Sequence, residues 1–250
     1  MNEDPIYIKL DSTASTNSYL SEIAGNCSHG TVVVTGEQTA GRGQRGNTWE
    51  AEPGKNLTFS ILLRPEAITP YRQFAVSEIV SVAIVNILQL YISDYDVAIK
   101  WPNDIYVHDS KICGILIENS LMGANIDHSI AGIGINVNQR AFHSNAPNPV
   151  SLFNIIGNET KLDEILDEVC REILALMNQC NNDTILDNLH QRYCSMLWRG
   201  NGLFPYRDNL TGQRIMASIA SVDKNGMLTL KLEDGSLRTY AFKEITALLH

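Results

Sequence analysis

Between Gly36 and Gly46, in GEQTAGRGQRGNTW, four glycines are interleaved with Arg42 and Arg45. Glycines let the backbone reach φ > 0 and bring bare N–H groups against a ligand, and arginines supply forked donors, so this composition suits a loop that holds carboxylate or phosphate. Further polar residues fall at the edges of apolar runs: Ser15-Thr16-Asn17, Gln38, Trp49, Asn103-Asp104 in KWPNDIYV, Lys111 in DSKICGILIE and Asn136 in GIGINVN. Each has an ordinary reading when taken alone. Ser15, Thr16 and Asn17 are capping types at the start of a helix, Lys111 is a solvated lysine, and Trp49 anchors a loop.

Familiar nucleotide motifs fail on context. Gly41 to Gly46 fits G-x-G-x-x-G, but NTWEAEPG and a strand follow where a dinucleotide fingerprint needs a helix. Val97-Ala98-Ile99-Lys100 fits the kinase V-A-I-K without any later H-R-D or D-F-G. No G-K-[ST] closes a phosphate loop, and the six histidines are scattered.

The elements that must position these residues are legible from periodicity. Ile6, Ile8 and Leu10 alternate as a first strand, STASTNSYLSEIAG follows as a helix, and Thr31–Thr35 and Leu57–Leu63 are β-rich runs on either side of the glycine loop. Thr69–Ser93 predicts a helix opened by Thr-Pro, with Glu78, Ser81 and Gln89 opposite its apolar face. A strand meander runs from VAIKWPNDIYV to HSIAGIGINVN, Asn138–Pro149 reads as irregular, and helices are expected over Lys161–Gln179 and Ile185–Leu197. From Gly200 on, short alternating strands are separated by Asn225-Gly226 and Asp234-Gly235, the signature of hairpins in a small β-barrel. The boundary is therefore expected between 1–199 and 200–250.

A chain of 250 residues, 44% apolar, fits one large domain and a small one. Twenty-eight acidic against 19 basic residues give a net charge of −9, which argues against nucleic acid as a partner. Five cysteines without a C-x-x-C, and an N-terminus without a leader pattern, favour reduced thiols and a cytoplasmic location. Phe74–Ile92 is apolar but broken by Glu78, Asn86 and Gln89, so no membrane span is expected.

In combination, Ser15-Thr16-Asn17, GEQTAGRGQRGNTW, KWPNDIYV, DSKICGILIE, AGIGINVN and the C-terminal β-segment resemble the biotin protein ligase family, in order and spacing, over nearly the whole chain. The resemblance implies an α+β fold: a mixed-sheet catalytic domain with helices on one side, of the class II aminoacyl-tRNA synthetase and biotin–lipoyl ligase type, followed by an SH3-like barrel. It implies formation of biotinyl-5′-AMP from biotin and Mg-ATP, then transfer of biotin to a lysine of a carboxylase's carrier protein. Lys111 and Arg42 are the catalytic cations in this reading. Ser15, Thr16, Asn17, Gln38, Arg42, Gly43, Gln44, Lys111, Gly114 and Ile115 bind biotin. Arg45, Trp49, Asn103, Asp104, Gly132 and Asn136 take the ATP or adenylate end, with Asp104 near Mg²⁺. Many relatives carry basic residues where this chain has Gln44 and Asn47, which implies weaker retention of the adenylate. With few residues ahead of the first strand, a form without the N-terminal DNA-binding domain is expected, as monomer or homodimer. A lipoate or octanoate ligase on the same fold is the alternative, but its R-R-x-S-G-G-G type motif is missing. A non-enzymatic biotin-binding module is disfavoured by the presence of Lys111, Arg42 and Arg45.

Overall fold

The computed structural model describes residues 4–43, 49–143 and 148–249. The chain begins with β1 (Ile6–Thr13), α1 (Thr16–Ile23), β2 (Thr31–Gln38) and β3 (Leu57–Leu63). It continues with α2 (Phe74–Tyr91) and the meander β4 (Val97–Lys100), β5 (Asp104–Val107), β6 (Ser110–Met122) and β7 (Asn125–Ile135). Together the seven strands form one mixed sheet in the order β1-β2-β3-β7-β6-β5-β4, in which only β1 and β2 pair in parallel. Every residue of β3 is buried, as its unbroken run LTFSILL requires of a strand covered on both faces.

The two faces have different covers. Phe59, Ile61, Ile133 and Ile115 join α2 and α4 (Leu162–Gln179) in the main core, whereas Leu62 and Ile130 pack with Leu20 of α1 in a smaller cluster. Helices therefore lie on both faces, where one side was expected. The helix α2 has the length and apolarity of a membrane span, yet 67% of it is buried within the protein, so it is a core helix. The expected polar face of α2 also needs correction: Glu78 and Ser81 are 2% and 0% exposed. The helix α5 (Asp183–Ser195) covers that side, and its His190 Nδ1 lies 2.5 Å from Glu78 Oε1, supplying the partner a buried carboxylate requires.

A short helix α3 (Leu152–Ile156) interrupts the segment after the meander, begun by a capping box of Ser151 and Asn154. The strands β8 (Phe204–Asp208), β9 (Arg214–Val222), β10 (Leu228–Leu232), β11 (Leu237–Tyr240) and β12 (Ile245–Ala247) form a second, antiparallel sheet, ordered β11-β10-β9-β8-β12. It occupies the place of the expected SH3-like barrel. Gly226 and Gly235, at φ +86° and +83°, make the turns that the Asn-Gly and Asp-Gly pairs indicated.

The two sheets share one continuous core, in which Tyr206, Ala217, Leu228 and Leu230 join Ile99 and Val97. Backbone bonds tie β4 to the segment that leads from α5 into the second sheet: Ile99 N donates to Met196 O and Trp198 N to Ile99 O, both at 2.8 Å. Trp101 Nε1 adds a 3.0 Å bond to Gly226 O at the β9–β10 turn. The end of β4 is thereby fixed against the second sheet, and the cavity described next opens at that seam.

Candidate active site

Three strands supply a floor of small residues. In the sheet register, Ser60 of β3, Gly132 of β7 and Leu116 of β6 stand in one row, and Thr58, Gly134 and Gly114 in the next row on the same face. The glycines leave a shallow trough between the strands. A Cβ on Gly132 would lie 2.8 Å from Asn17 Cγ and closer still to Oδ1, and one on Gly134 would lie 2.6 Å from Trp49 Cζ2 and Nε1. Other residues could not occupy either position without displacing what rests on it. A cavity of about 480 Å³ stands over this floor, walled on the far side by the second sheet.

One end presents uncharged side chains in a hydrogen-bonded array, backed by the Arg42–Glu118 pair. Ser15 holds the N-cap position of α1, but its side chain makes no capping bond; it lines the cavity, 5% exposed, so the ordinary capping reading fails. Gln38, at the end of β2, accepts from Thr16 N at 2.8 Å and from Thr16 Oγ1 at 3.2 Å. Ser60 Oγ stands 2.7 Å from Thr16 Oγ1 and 2.5 Å from Asn17 Oδ1. Asn17 Nδ2 donates to Glu118 Oε2 at 2.7 Å, and the same oxygen pairs with Arg42 Nη2 at 3.3 Å. Such an array recognises a polar, uncharged group by matched donors and acceptors.

The other end is charged. Lys111 Nζ lies 2.7 Å from Asp104 Oδ1, both about a quarter exposed, and 5.8 Å from the centroid of the Trp49 ring. The backbone of Lys111 is itself clamped: its N–H donates to Asn148 O at 2.7 Å and its carbonyl accepts from Val150 N at 3.0 Å. Lys100 Nζ donates to Tyr106 OH at 3.1 Å; burial lowers the lysine's pKa and raises the phenol's to about 12. Asn103, 5% exposed, donates to Ile115 O at 2.8 Å and so ties the β4–β5 turn to β6. Trp49 lies on Gly114 and Gly134 with its Nε1 buried and unpaired among the described residues. Its backbone N–H donates to Gly41 O at 3.2 Å, closing the neck of the glycine loop.

Most of the residues singled out from sequence line this cavity: Ser15, Thr16, Asn17, Gln38, Arg42, Gly43, Trp49, Asn103, Asp104, Lys111, Gly114, Ile115 and Gly132. Gln44 and Arg45 lie outside the described residues. Asn136 does not line it. It donates from Nδ2 to Val150 O at 3.1 Å, bracing the segment that clamps Lys111, because its place at the end of β7 faces that segment. Sequence reasoning missed Lys100, Trp101 and Gly134, although all three sit inside quoted motifs, and the second-sheet residues Tyr206, Phe242 and Lys243. Only the fold brings that second group to the cavity, and no spacing in the chain signals it.

An α+β domain with a mixed sheet, a glycine-floored cleft and a small antiparallel sheet behind it is an architecture of the biotin–lipoyl ligase type. The chain belongs to the Biotin/lipoate A/B protein ligase family, whose pattern matches residues 10–136, from β1 through the end of the floor. It is similar to a biotin protein ligase from Aquifex aeolicus in complex with biotin and ATP, with a TM-score of 0.79 and 25% identity, covering 97% of this chain and 98% of that one. The biotin--[acetyl-CoA-carboxylase] ligase of Paracoccus denitrificans is 32% identical over 163 residues, 63% of this chain and 67% of that protein. The bifunctional ligase/repressor BirA of Bacillus spizizenii is 36% identical over 135 residues, which cover 54% of this chain but 41% of that relative. The matched part of this chain thus spans less than half of that protein's length.

Proposed function

We propose that this chain is an ATP-dependent biotin protein ligase. The observation that carries the reading is one cavity with a neutral donor–acceptor array at Ser15, Thr16, Asn17 and Gln38, and a lysine–aspartate pair at the other end of a glycine floor. Biotin matches that polarity, with an uncharged ureido ring at one end and a carboxylate at the other. A lipoyl group has no polar ring to satisfy the array.

In the first step a biotin carboxylate oxygen attacks the α-phosphorus of ATP, and pyrophosphate leaves. In the second, the amine of a carrier-protein lysine attacks the acyl carbon, AMP leaves, and an amide forms with loss of a proton. Lys111 is suited to stabilise the charge that develops in both steps, since its backbone is clamped and its ammonium is aimed at the floor beside Gly114. Preorganised cations of this kind are commonly the largest catalytic term. In this reading Arg42 and Gly43 border the biotin site, Gly114, Ile115 and Gly132 form its floor, and Trp49 and Asn103 flank the adenylate; Gln44 and Arg45 belong to the same sequence motif.

In this reading Asp104, which pairs with Lys111 in the free protein, is the carboxylate that would share Mg²⁺ with the phosphates of ATP. Among the described residues no three His, Cys, Asp or Glu side chains cluster as a metal site, and Mg²⁺ is usually held by one or two carboxylates together with phosphate oxygens. When bound it neutralises phosphate charge. The domain division at residues 199 and 200, a carboxylase carrier domain as acceptor, and a cytoplasmic location with five free cysteines belong to the same reading. Incubation with Mg-ATP, a lysine-bearing carrier domain and either biotin or lipoate, followed by mass measurement, tests it. A mass gain with biotin is expected, and a gain with lipoate alone would overturn the proposal.

A further inference from the structure

Glu118 does not line the cavity, yet one of its oxygens touches two residues that do. Asn17 is 3% exposed, so the orientation of its amide is settled by its neighbours. Its Nδ2 faces two acceptors, Glu118 Oε2 at 2.7 Å and Leu116 O at 3.4 Å, while its Oδ1 faces the Ser60 hydroxyl at 2.5 Å above Gly132. The Leu116 contact is long, so the carboxylate is what holds the amide. Arg42, at the neck of the glycine loop, meets the same Oε2 at 3.3 Å. Lys111 Nζ reaches Gly114, four residues before Glu118 on β6, roughly 13 Å along an extended strand. Arg42 is therefore fastened at the neutral end of the cavity, away from the Lys111–Asp104 pair.

From this geometry we infer that Glu118 is a positioning residue with two separable tasks: it holds the acceptor oxygen of Asn17 against Ser60 and the Gly132 floor on which the ligand would lie, and it ties the glycine loop to β6 through Arg42. The inference rests on the ligase reading, in which the ureido N–H groups of biotin need acceptors. A fixed acceptor at Asn17 helps that array discriminate between N–H and C=O on the ring. Glutamine at position 118 retains an acceptor oxygen for Asn17 but loses the charge on Arg42, whereas alanine loses both.

Biotin titration calorimetry without ATP separates these possibilities, combined with timed trypsin cleavage at Arg42–Gly43 and KM for Mg-ATP. For E118A the biotin Kd is expected to rise about ten- to a hundredfold, as for loss of a charged hydrogen-bond partner, with KM for Mg-ATP unchanged. E118Q should recover biotin affinity to within about threefold of wild type and still be cleaved about two- to fivefold faster, the effect of losing a half-exposed ion pair. Unchanged biotin affinity in E118A, or no recovery in E118Q with its melting temperature retained, would overturn the Asn17 task. Wild-type cleavage in E118Q would overturn the Arg42 task. A wild-type protein that binds no biotin would instead overturn the ligase reading and, with it, this inference.

Discussion

Alanine at Gly134 tests whether the glycine floor is the seat of the ligand. Gly134 stands opposite Gly114 on β7, a strand hydrogen-bonded on both sides, so the backbone there cannot yield. An added Cβ would lie 2.6 Å from two atoms of the Trp49 indole, about an ångström inside ordinary carbon contact of about 3.5–4.0 Å. The indole, carried on a loop, is what must move. In the empty protein the lost indole contact is offset by the relief of a mid-strand glycine, about 0.5–1 kcal/mol. The net change should stay within about 1 kcal/mol, or about 2–4 °C in Tm for a chain of this size. A ligand that must lie flat on the floor meets the methyl group without that freedom. Overpacking of about 1–3 kcal/mol then lowers the rate of adenylate formation about five- to 150-fold. The assay is pyrophosphate release under single-turnover conditions, alongside thermal melts. Gly25→Ala serves as the control, since a Cβ there meets nothing within 4 Å. A Gly134→Ala protein that melts normally and forms adenylate at the wild-type rate would refute the floor as the seat.

Lys111→Ala should cut turnover about a hundred- to a thousandfold while leaving biotin affinity within a few-fold, measured by calorimetry and single-turnover kinetics. His190 should make stability fall at high pH. Its contacts with Cys194 and Glu78 raise its pKa to about 10, above the unfolded value of about 6.5, so the stabilisation is complete below pH 6.5 and lost as pH rises through about 10. The urea midpoint of wild type relative to His190→Gln should therefore converge between pH 7 and pH 10.5, and a constant difference would count against the pairing. Gln44→Arg should slow dissociation of biotinyl-AMP, measured by filter retention of labelled adenylate.

Legibility differed between the site and the scaffold for physical reasons. Lys111, Asn103, Asp104 and the Ser15–Asn17 edge have ordinary readings one by one and stand out only as a combination of short motifs, and the fold places them along one cavity. Nothing in the run GILIE marks Glu118 as part of the site. Its partners, Asn17 and Arg42, come from elements about a hundred and about eighty residues earlier in the chain. Glu78 and Ser81 were assigned to a wet face because helical periodicity marks which side of a helix is apolar, not what later packs on the other side. Here α5 and the second sheet cover it, with Val222 O also reaching His190 Nε2 at 3.1 Å. The strand β8 escaped detection because Pro205 argues against a ladder position, and β12 because three residues carry no readable alternation.

Two of the cations that line the cavity are already matched by carboxylates, Lys111 by Asp104 and Arg42 by Glu118. An unmatched pair of cations in a partly buried cleft would bind any phosphate and would repel each other. Matched, these two pairs add no net charge to the resting cleft. An incoming carboxylate or phosphate must then compete with a resident carboxylate, which weakens its ground-state binding. The competition shifts toward the ligand as negative charge accumulates on the reacting oxygens, because the resident carboxylate's charge does not grow. In the proposed reaction Lys111 would thus be engaged more strongly in the transition state than in the substrate complex, and that difference is what accelerates a reaction.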